Sequence, residues 1–227
     1  MVARTYEDDV MTPDKTSQRP FVLLPSGRVI DLADPSPDSW SDEDLAIGLS
    51  RTYRWGGHSR WARPLTVAQH SLTVLAVRRQ CEPDLAPAAC LYELLHDAEE
   101  GLLGFDCIAP LKAYLGAPFA ELTKRLTNAI ARRYDLPILD AENYRRHKRA
   151  DRIAAASEAR HVTAWTPAQI AATLQLTEQP LTHDPLLLAV EASGFAEWEP
   201  WTADFAAGAW LDALTSKTMA RAARAVE

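Results

Sequence analysis

The stretch TVAQHSLTVLAV, residues 66–77, decides the fold class of this chain. Val67, His70, Val74 and Val77 follow one another at spacings of three, four and three residues. This spacing matches the turn of an α-helix and places the four side chains on one apolar stripe. The stretch therefore predicts a helix that carries an imidazole on its inward face.

The same periodicity, with helix start signals such as Thr66 and Asp140, recurs along most of the chain. Helices are predicted for about ten residues after Ser41 and over residues 66–80, 86–103, 118–134, 140–162, 167–174, 184–192 and 203–225. Two β-prone runs, FVLL and RVIDL, flank a Pro-Ser-Gly turn and predict a small hairpin at residues 21–32. The expected fold is all-α, a globular helical core with a small N-terminal β-hairpin.

The chain shows no composition shift that would divide it into two domains. Residues 1–20 are polar and aperiodic and are predicted to be a flexible arm. Residues 21–162 are predicted to form the core, and residues 163–227 a helical extension packed on the same domain.

Composition excludes several classes of protein. The 227 residues are 47% hydrophobic and 24% charged, which is ordinary for a globular protein. The net charge of -7 disfavours a protein that binds nucleic-acid polymers by neutralising phosphates. The sequence has no signal peptide pattern, no run of apolar residues that predicts a membrane span, and three cysteines without a CxxC pair. We expect a cytoplasmic protein without a nucleic-acid or membrane partner.

The segment LYELLHDAEE, residues 91–100, carries the most chemistry. Tyr92, His96 and Glu100 follow at spacings of four, so a second imidazole is predicted to point inward with a carboxylate one turn below it. Asp97 adjoins that imidazole in what is predicted to be the middle of a helix. Crowded, buried carboxylates are unfavourable unless a cation gathers them.

A third helix adds another acid, because Asp151 lies beside small apolar residues in KRADRIAAASEAR, residues 148–160. Two imidazoles and two carboxylates are sufficient ligands for one divalent metal ion, such as Mn, Co, Zn, Fe or Mg. The second His-Asp pair, His183 and Asp184, precedes a proline at the start of an apolar run. It is interpreted as a helix cap without a metal role.

The order of the blocks TVAQHS, LLHDAEE and AD resembles the HD-domain metal-dependent phosphohydrolases, within them the branch of 5'-deoxynucleotidases and deoxynucleoside-triphosphate phosphohydrolases. The resemblance runs from about residue 21 to about residue 160. It implies a helical core around one metal, held by the residues that match the family motif: His70, His96, Asp97 and Asp151.

The resemblance also implies roles for residues after the His-Asp pair. Glu100 would orient the attacking water, and its neighbour Glu99 is expected to face solvent. In GFDCIAPLK, Asp106 would assist Glu100 and Lys112 would contact substrate. Phe105 resembles an inserted residue in this stretch.

Upstream, the resemblance implies a substrate-binding loop. Arg54 would contact phosphate, and Trp55 would cover the sugar or base. The alternative is that this arginine and tryptophan only pack against the protein surface. Gly56 and Gly57 follow them, and His58 is either a phosphate ligand or an ordinary turn histidine.

The sequence lacks the GYP motif of cyclic-dinucleotide phosphodiesterases and the additional consecutive histidines of two-metal branches, so one metal is expected. The expected reaction is hydrolysis of a phosphate ester or anhydride of a small deoxynucleotide. A guanosine-tetraphosphate hydrolase, a cyclic-nucleotide phosphodiesterase and a nucleotide-sensing metal protein without turnover stay open. A homo-oligomer, such as a dimer, also stays open.

Overall fold

A computed structural model describes residues 19–187 and 194–224. A short antiparallel hairpin pairs β1 (Phe21–Leu23) with β2 (Val29–Asp31), and the rest is predominantly helical. The described helices are α1 (Asp42–Arg51), α2 (Val67–Cys81), α3 (Pro87–Leu95), α4 (Ala98–Leu103), α5 (Ala109–Leu115), α6 (Ala117–Arg133), α7 (Ala141–His161), α8 (Pro167–Thr173) and α9 (Ala203–Arg224). The predicted all-α class with an N-terminal hairpin is confirmed.

The prediction of one helix over residues 86–103 is wrong. The helix is interrupted between α3 and α4, where Asp97 adopts φ −113° and ψ 22°. No proline or glycine marks this break in the sequence, so the helical periodicity passes through it undetected. The His-Asp pair therefore lies at a junction of two helices and not in the middle of one.

Helix α5 was not predicted either. The proline of its first turn lies where its missing N–H breaks no helical hydrogen bond, and Gly116, at φ 70°, ends the helix. The predicted C-terminal helix is continuous through Gly208 and Leu214, as far as Arg224. Residues 1–18 of the predicted arm lie outside the described residues. So do residues 188–192 of the helix predicted over residues 184–192.

The apolar core is formed between the first three helices and the C-terminal helix. Helix α9 packs on α1, α2 and α3, and the fully buried Trp201 and Trp210 belong to the same apolar cluster as Leu45 and Leu94. The indole of Trp210 also donates a hydrogen bond to the Leu94 carbonyl at 3.3 Å. No helix within the described ranges has both the length and the apolar character that crossing a membrane requires.

Two glycines set the position of α4 against α1. A Cβ on Gly48 would lie 2.3 Å from the carbonyl oxygen of Gly101, and a Cβ on Gly101 would lie 2.7 Å from the Leu49 side chain. The obstruction at Gly48 is backbone, which cannot rotate away. The two helices are therefore in direct backbone contact, and α4 carries Glu99 and Glu100.

We expect Gly48→Ala to lower the free energy of unfolding by about 1–3 kcal/mol, the usual effect of overpacking a dense core. Chemical denaturation of both proteins measures the difference. Gly208→Ala is the matched control, because Gly208 lies in a helix with open space around it. There alanine should be neutral or stabilise by up to about 1 kcal/mol. Equal stability of the Gly48→Ala variant and the parent chain would contradict the close contact.

Candidate metal centre

Three helical segments supply the four predicted metal ligands. His70 lies on α2, His96 and Asp97 form the junction of α3 and α4, and Asp151 lies on α7. Helix α2 packs on both α3 and α7, which brings the four side chains together. In an unbroken helix, the side chains of adjacent residues point about 100° apart. The interruption at Asp97 changes this direction, and His96 Nε2 and Asp97 Oδ2 lie side by side.

The potential ligand atoms face one another. His70 Nε2 lies 3.6 Å from Asp97 Oδ2 and 3.6 Å from Asp151 Oδ1, and His96 Nε2 lies 3.2 Å from Asp97 Oδ2. Around an ion with bonds of about 2.1 Å, neighbouring ligand atoms are roughly 3–3.5 Å apart. Both Nε2 atoms are buried and have no hydrogen-bond partner among the described residues. These residues fit a divalent metal, because it would satisfy the two orphaned nitrogens.

Each histidine is held through its other nitrogen. His96 Nδ1 donates to the Glu93 carbonyl at 2.7 Å, so the proton is on Nδ1 and the Nε2 lone pair is free for a metal. His70 Nδ1 lies 2.6 Å from Glu158 Oε1. Partners of this kind fix the ring orientation and the tautomer of metal-binding histidines. Neither Glu93 nor Glu158 was predicted from the sequence.

The centre stabilises its carboxylates in the ionised form. Burial alone would raise the pKa of Asp97, but His96, His70 and Arg54 outweigh it and hold that pKa well below its usual range. Burial likewise opposes ionisation of Asp151, whose pKa is also lowered by its two histidine neighbours and by Lys148. Although burial opposes it, Glu158 and Asp151 raise the pKa of His70 to about 9, and Asp97 raises that of His96. A metal that binds here would therefore displace protons from the imidazoles.

Lys148 is a further cation at the site. It forms an ion pair with Asp151 Oδ2, the oxygen that does not face His70. Its side chain is 44% exposed, so the ammonium is accessible from solvent. Lys148 was not predicted from the sequence.

Glu100 is buried beside the centre. Its Oε1 accepts a hydrogen bond from Lys112 Nζ at 3.1 Å, while its Oε2 is buried without a partner in the described structure. Burial, followed by the charges of Asp97 and Asp106, raises the pKa of Glu100 to about 9. The structure thus brings Glu100, Lys112 and Asp106 together as the sequence analysis expected.

The expectation that Glu99 faces solvent is wrong. The residue is only 8% exposed, and its Oε2 is buried with no partner among the residues described. Burial and the charge of Asp97 raise the pKa of Glu99 to about 7. The physical reason is that α4 packs against both α1 and α6, so its buried surface is wider than a single stripe and includes Glu99 as well as Glu100.

The three residues predicted upstream have different locations. Arg54 is brought to the centre: its Nε donates to Glu158 Oε2 at 3.0 Å, and its Nη1 lies 3.7 Å from Asp97 Oδ2. Its pKa is raised well above the ordinary value, because those carboxylates outweigh the opposing effect of burial. His58 is exposed, and its side chain makes no polar contact with the residues that the structure describes.

Trp55 packs on one side against apolar residues of two helices. Its ring contacts the apolar cluster of Ala156, Ala159 and Ile170 on α7 and α8. Its backbone has the left-handed φ of 59°, which is unusual for a bulky residue. The indole Nε1 is nevertheless buried without a partner among the described residues, so a donor is available there.

The fold and the site together define an all-α protein in which His, Asp and Glu side chains converge between helices. The chain is 38% identical over 153 residues, 67% of its length, to Uncharacterized protein RCAP_rcc00048 of Rhodobacter capsulatus, and it covers 78% of that protein. The chain belongs to the same family as this bacterial protein. No protein-family model matches the chain.

Proposed function

We propose that this protein is an HD-domain metal-dependent phosphohydrolase that hydrolyses a phosphate ester or anhydride of a small deoxynucleotide. The observation that carries the proposal is the pair of buried, unpartnered imidazole nitrogens facing Asp97 and Asp151. Without a metal these nitrogens have only ion-pair neighbours at 3.2–3.6 Å and no hydrogen bond among the described residues. The motif order His70, His96-Asp97, Asp151 supplies the choice of family.

A divalent metal bound by these four residues would supply a water of lowered pKa and polarise a phosphoryl oxygen. The task of the protein is then to orient this water and accept its proton. Lys112 fixes one oxygen of Glu100 and leaves the other free to face the water. The raised pKa of Glu100 belongs to the metal-free centre, and the charge of a bound metal would lower it and restore the carboxylate that accepts the proton. Asp106, partly buried next to Glu100, would help to align the water.

Three cations would offset the negative charge of the substrate phosphate. Arg54 uses its Nε on Glu158 and pairs Nη1 with Asp97, so Nη2 is the donor that remains for a phosphate. Lys112 and Lys148 are each partly exposed beside the centre. Such a cluster is needed because the net charge of the protein, -7, repels a nucleotide at long range.

The test is release of phosphate from a panel of small molecules. The purified chain, loaded separately with Mn, Co, Mg, Zn or Fe, is incubated with deoxynucleoside and ribonucleoside mono-, di- and triphosphates, guanosine tetraphosphate and cyclic nucleotides. We expect turnover of one deoxynucleotide class and its loss on chelation. Preferential turnover of guanosine tetraphosphate or a cyclic nucleotide would change the substrate class, and nucleotide binding without turnover would contradict the enzymatic proposal.

We expect Arg54→Lys to raise the dissociation constant for the nucleotide substrate by about 10- to 100-fold, since a charge-assisted hydrogen bond contributes roughly 1.5–3 kcal/mol. Lysine keeps the charge but lacks the planar fork through which a guanidinium bonds to Glu158 on one edge and to a phosphate on the other. Calorimetric binding and metal content of each variant are measured, and the metal content should stay unchanged.

Trp55→Phe tests the other half of the loop. It retains an aromatic ring against α8 but removes the second ring of the indole together with the buried, unpartnered N–H. The Michaelis constant for nucleotides should rise while that for a small aryl phosphate stays constant. If Arg54→Lys and Trp55→Phe both bind nucleotide like the parent, the loop is a scaffold and does not recognise substrate.

A further inference from the structure

A second group of potential ligands lies next to the first. Asp97, Glu99 and Glu100 each offer a carboxylate oxygen, and these oxygens lie within 4.8 Å of one another. The three residues belong to the junction of α3 and α4 and to the first turn of α4. A cluster of acids is common without an ion, so the cluster alone assigns nothing.

The unsatisfied oxygens of this cluster provide the second observation. Glu99 is 8% and Glu100 is 3% exposed, and the Oε2 atom of each is buried without a hydrogen-bond partner among the described residues. The nearby Lys112 ammonium bonds to the other oxygen of Glu100. Buried acceptors without a donor are unfavourable, and a cation among them would satisfy both.

We propose that Asp97, Glu99 and Glu100 hold a second divalent cation of the hard, oxygen-preferring class, Mg²⁺ or Mn²⁺, with Asp97 shared between the two ions. This inference rests on the first metal of the proposed function. The two sites differ in donor chemistry: the first has two imidazoles and suits a transition metal, while the second has only oxygen donors. The additional histidines of other two-metal branches are therefore not needed for this second site.

The charge of the site supports a second cation. Its six acidic side chains exceed its three basic side chains by three formal charges, an excess that one divalent ion does not balance and two ions do. These charges belong to Asp97, Glu99, Glu100, Asp106, Asp151, Glu158, Arg54, Lys112 and Lys148.

Two adjacent ions also suit the proposed reaction. A pair that shares a carboxylate can bind a phosphoryl group on both sides and stabilise the oxygens that enter and leave. In this arrangement Glu99 is a metal ligand specific to the second site. Glu100 would contact both the second ion and the attacking water, so Glu99 is the residue that tests the second site separately.

The experiment counts Mn²⁺ ions per chain. The metal-free protein is titrated with MnCl₂ and followed by calorimetry and by electron paramagnetic resonance. We expect two ions per parent chain with a spin-coupled spectrum, because the sites share Asp97. Glu99→Gln, nearly identical in shape, should retain one ion and lose the coupling. Glu121→Gln is the control, because Glu121 is 54% exposed on α6, and it should retain both ions.

The possible outcomes separate the two proposals. One uncoupled ion in the parent, retained in Glu99→Gln and lost in His96→Ala, overturns the second site and leaves the proposed function intact. One ion that is lost in Glu99→Gln and retained in His96→Ala supports the acidic site and contradicts the first. No bound ion in the parent overturns both. The spectrum of the parent protein tests the inference even if a variant fails to fold.

Discussion

His96→Ala should strip the first metal site and abolish turnover. The variant removes one of the two buried imidazole nitrogens that have no hydrogen-bond partner among the described residues and that we propose bind the metal. Loss of an outer partner of a metal ligand already reduces metal affinity or activity by about 10- to 100-fold, and loss of a ligand itself should exceed this. Metal content by elemental analysis and phosphate release on the best substrate measure the effect.

His183→Ala is the matched control for this experiment. His183 also precedes an aspartate in the sequence, but its side chain is 78% exposed and contacts Glu197 at the surface. The adjacent Asp184 accepts hydrogen bonds from the backbone N–H groups of Leu186 and Trp198. This variant should keep both metal and activity. Full metal content and activity in His96→Ala would refute the ligand assignment.

Glu100→Gln should reduce kcat by two to four powers of ten, the usual effect of removing a positioned acid-base group. Glutamine can still accept the hydrogen bond from Lys112 but cannot take a proton from water. The metal held by the two histidines should stay bound, and nucleotide affinity should change little. Single-turnover kinetics together with metal analysis separate the chemical step from binding.

The exposed Glu121→Gln is again the control, because it makes the same chemical change far from any predicted ligand. An unchanged kcat in Glu100→Gln would remove this residue from the mechanism. In that case the interpretation of the protein as a nucleotide sensor regains support.

Helical periodicity predicted much of this structure because it depends on burial. The 3.6-residue spacing placed His70 on the buried side of α2, and it identified the helices that carry all four candidate ligands. It failed at the junction of α3 and α4, because a break in backbone dihedral angles without proline or glycine leaves the spacing of apolar residues unchanged. The exposure of Glu99 was mispredicted for another reason: α4 is covered by both α1 and α6, and the periodicity of one segment does not show how many neighbours cover it.

The residues that hold the ligands were harder to find. Glu93 supports His96 through its backbone carbonyl, and every residue type has one, so no side-chain pattern could reveal it. Glu158 did leave a signal that was missed. It lies seven residues after Asp151 on α7, hence two turns along the same face of that helix. Its role depends on a contact with His70 on α2. The sequence of α7 alone does not show this contact.

The division of the ligands among three helical segments has a thermodynamic consequence. An ion that binds only when α2, α7 and the junction of α3 and α4 are assembled shifts the folding equilibrium by mass action. At a free concentration one hundred times its dissociation constant, such an ion adds about 2.7 kcal/mol to the free energy of unfolding. We therefore expect the melting temperature to rise with the free metal concentration, and samples prepared with and without a chelator to differ in stability although their covalent structure is identical.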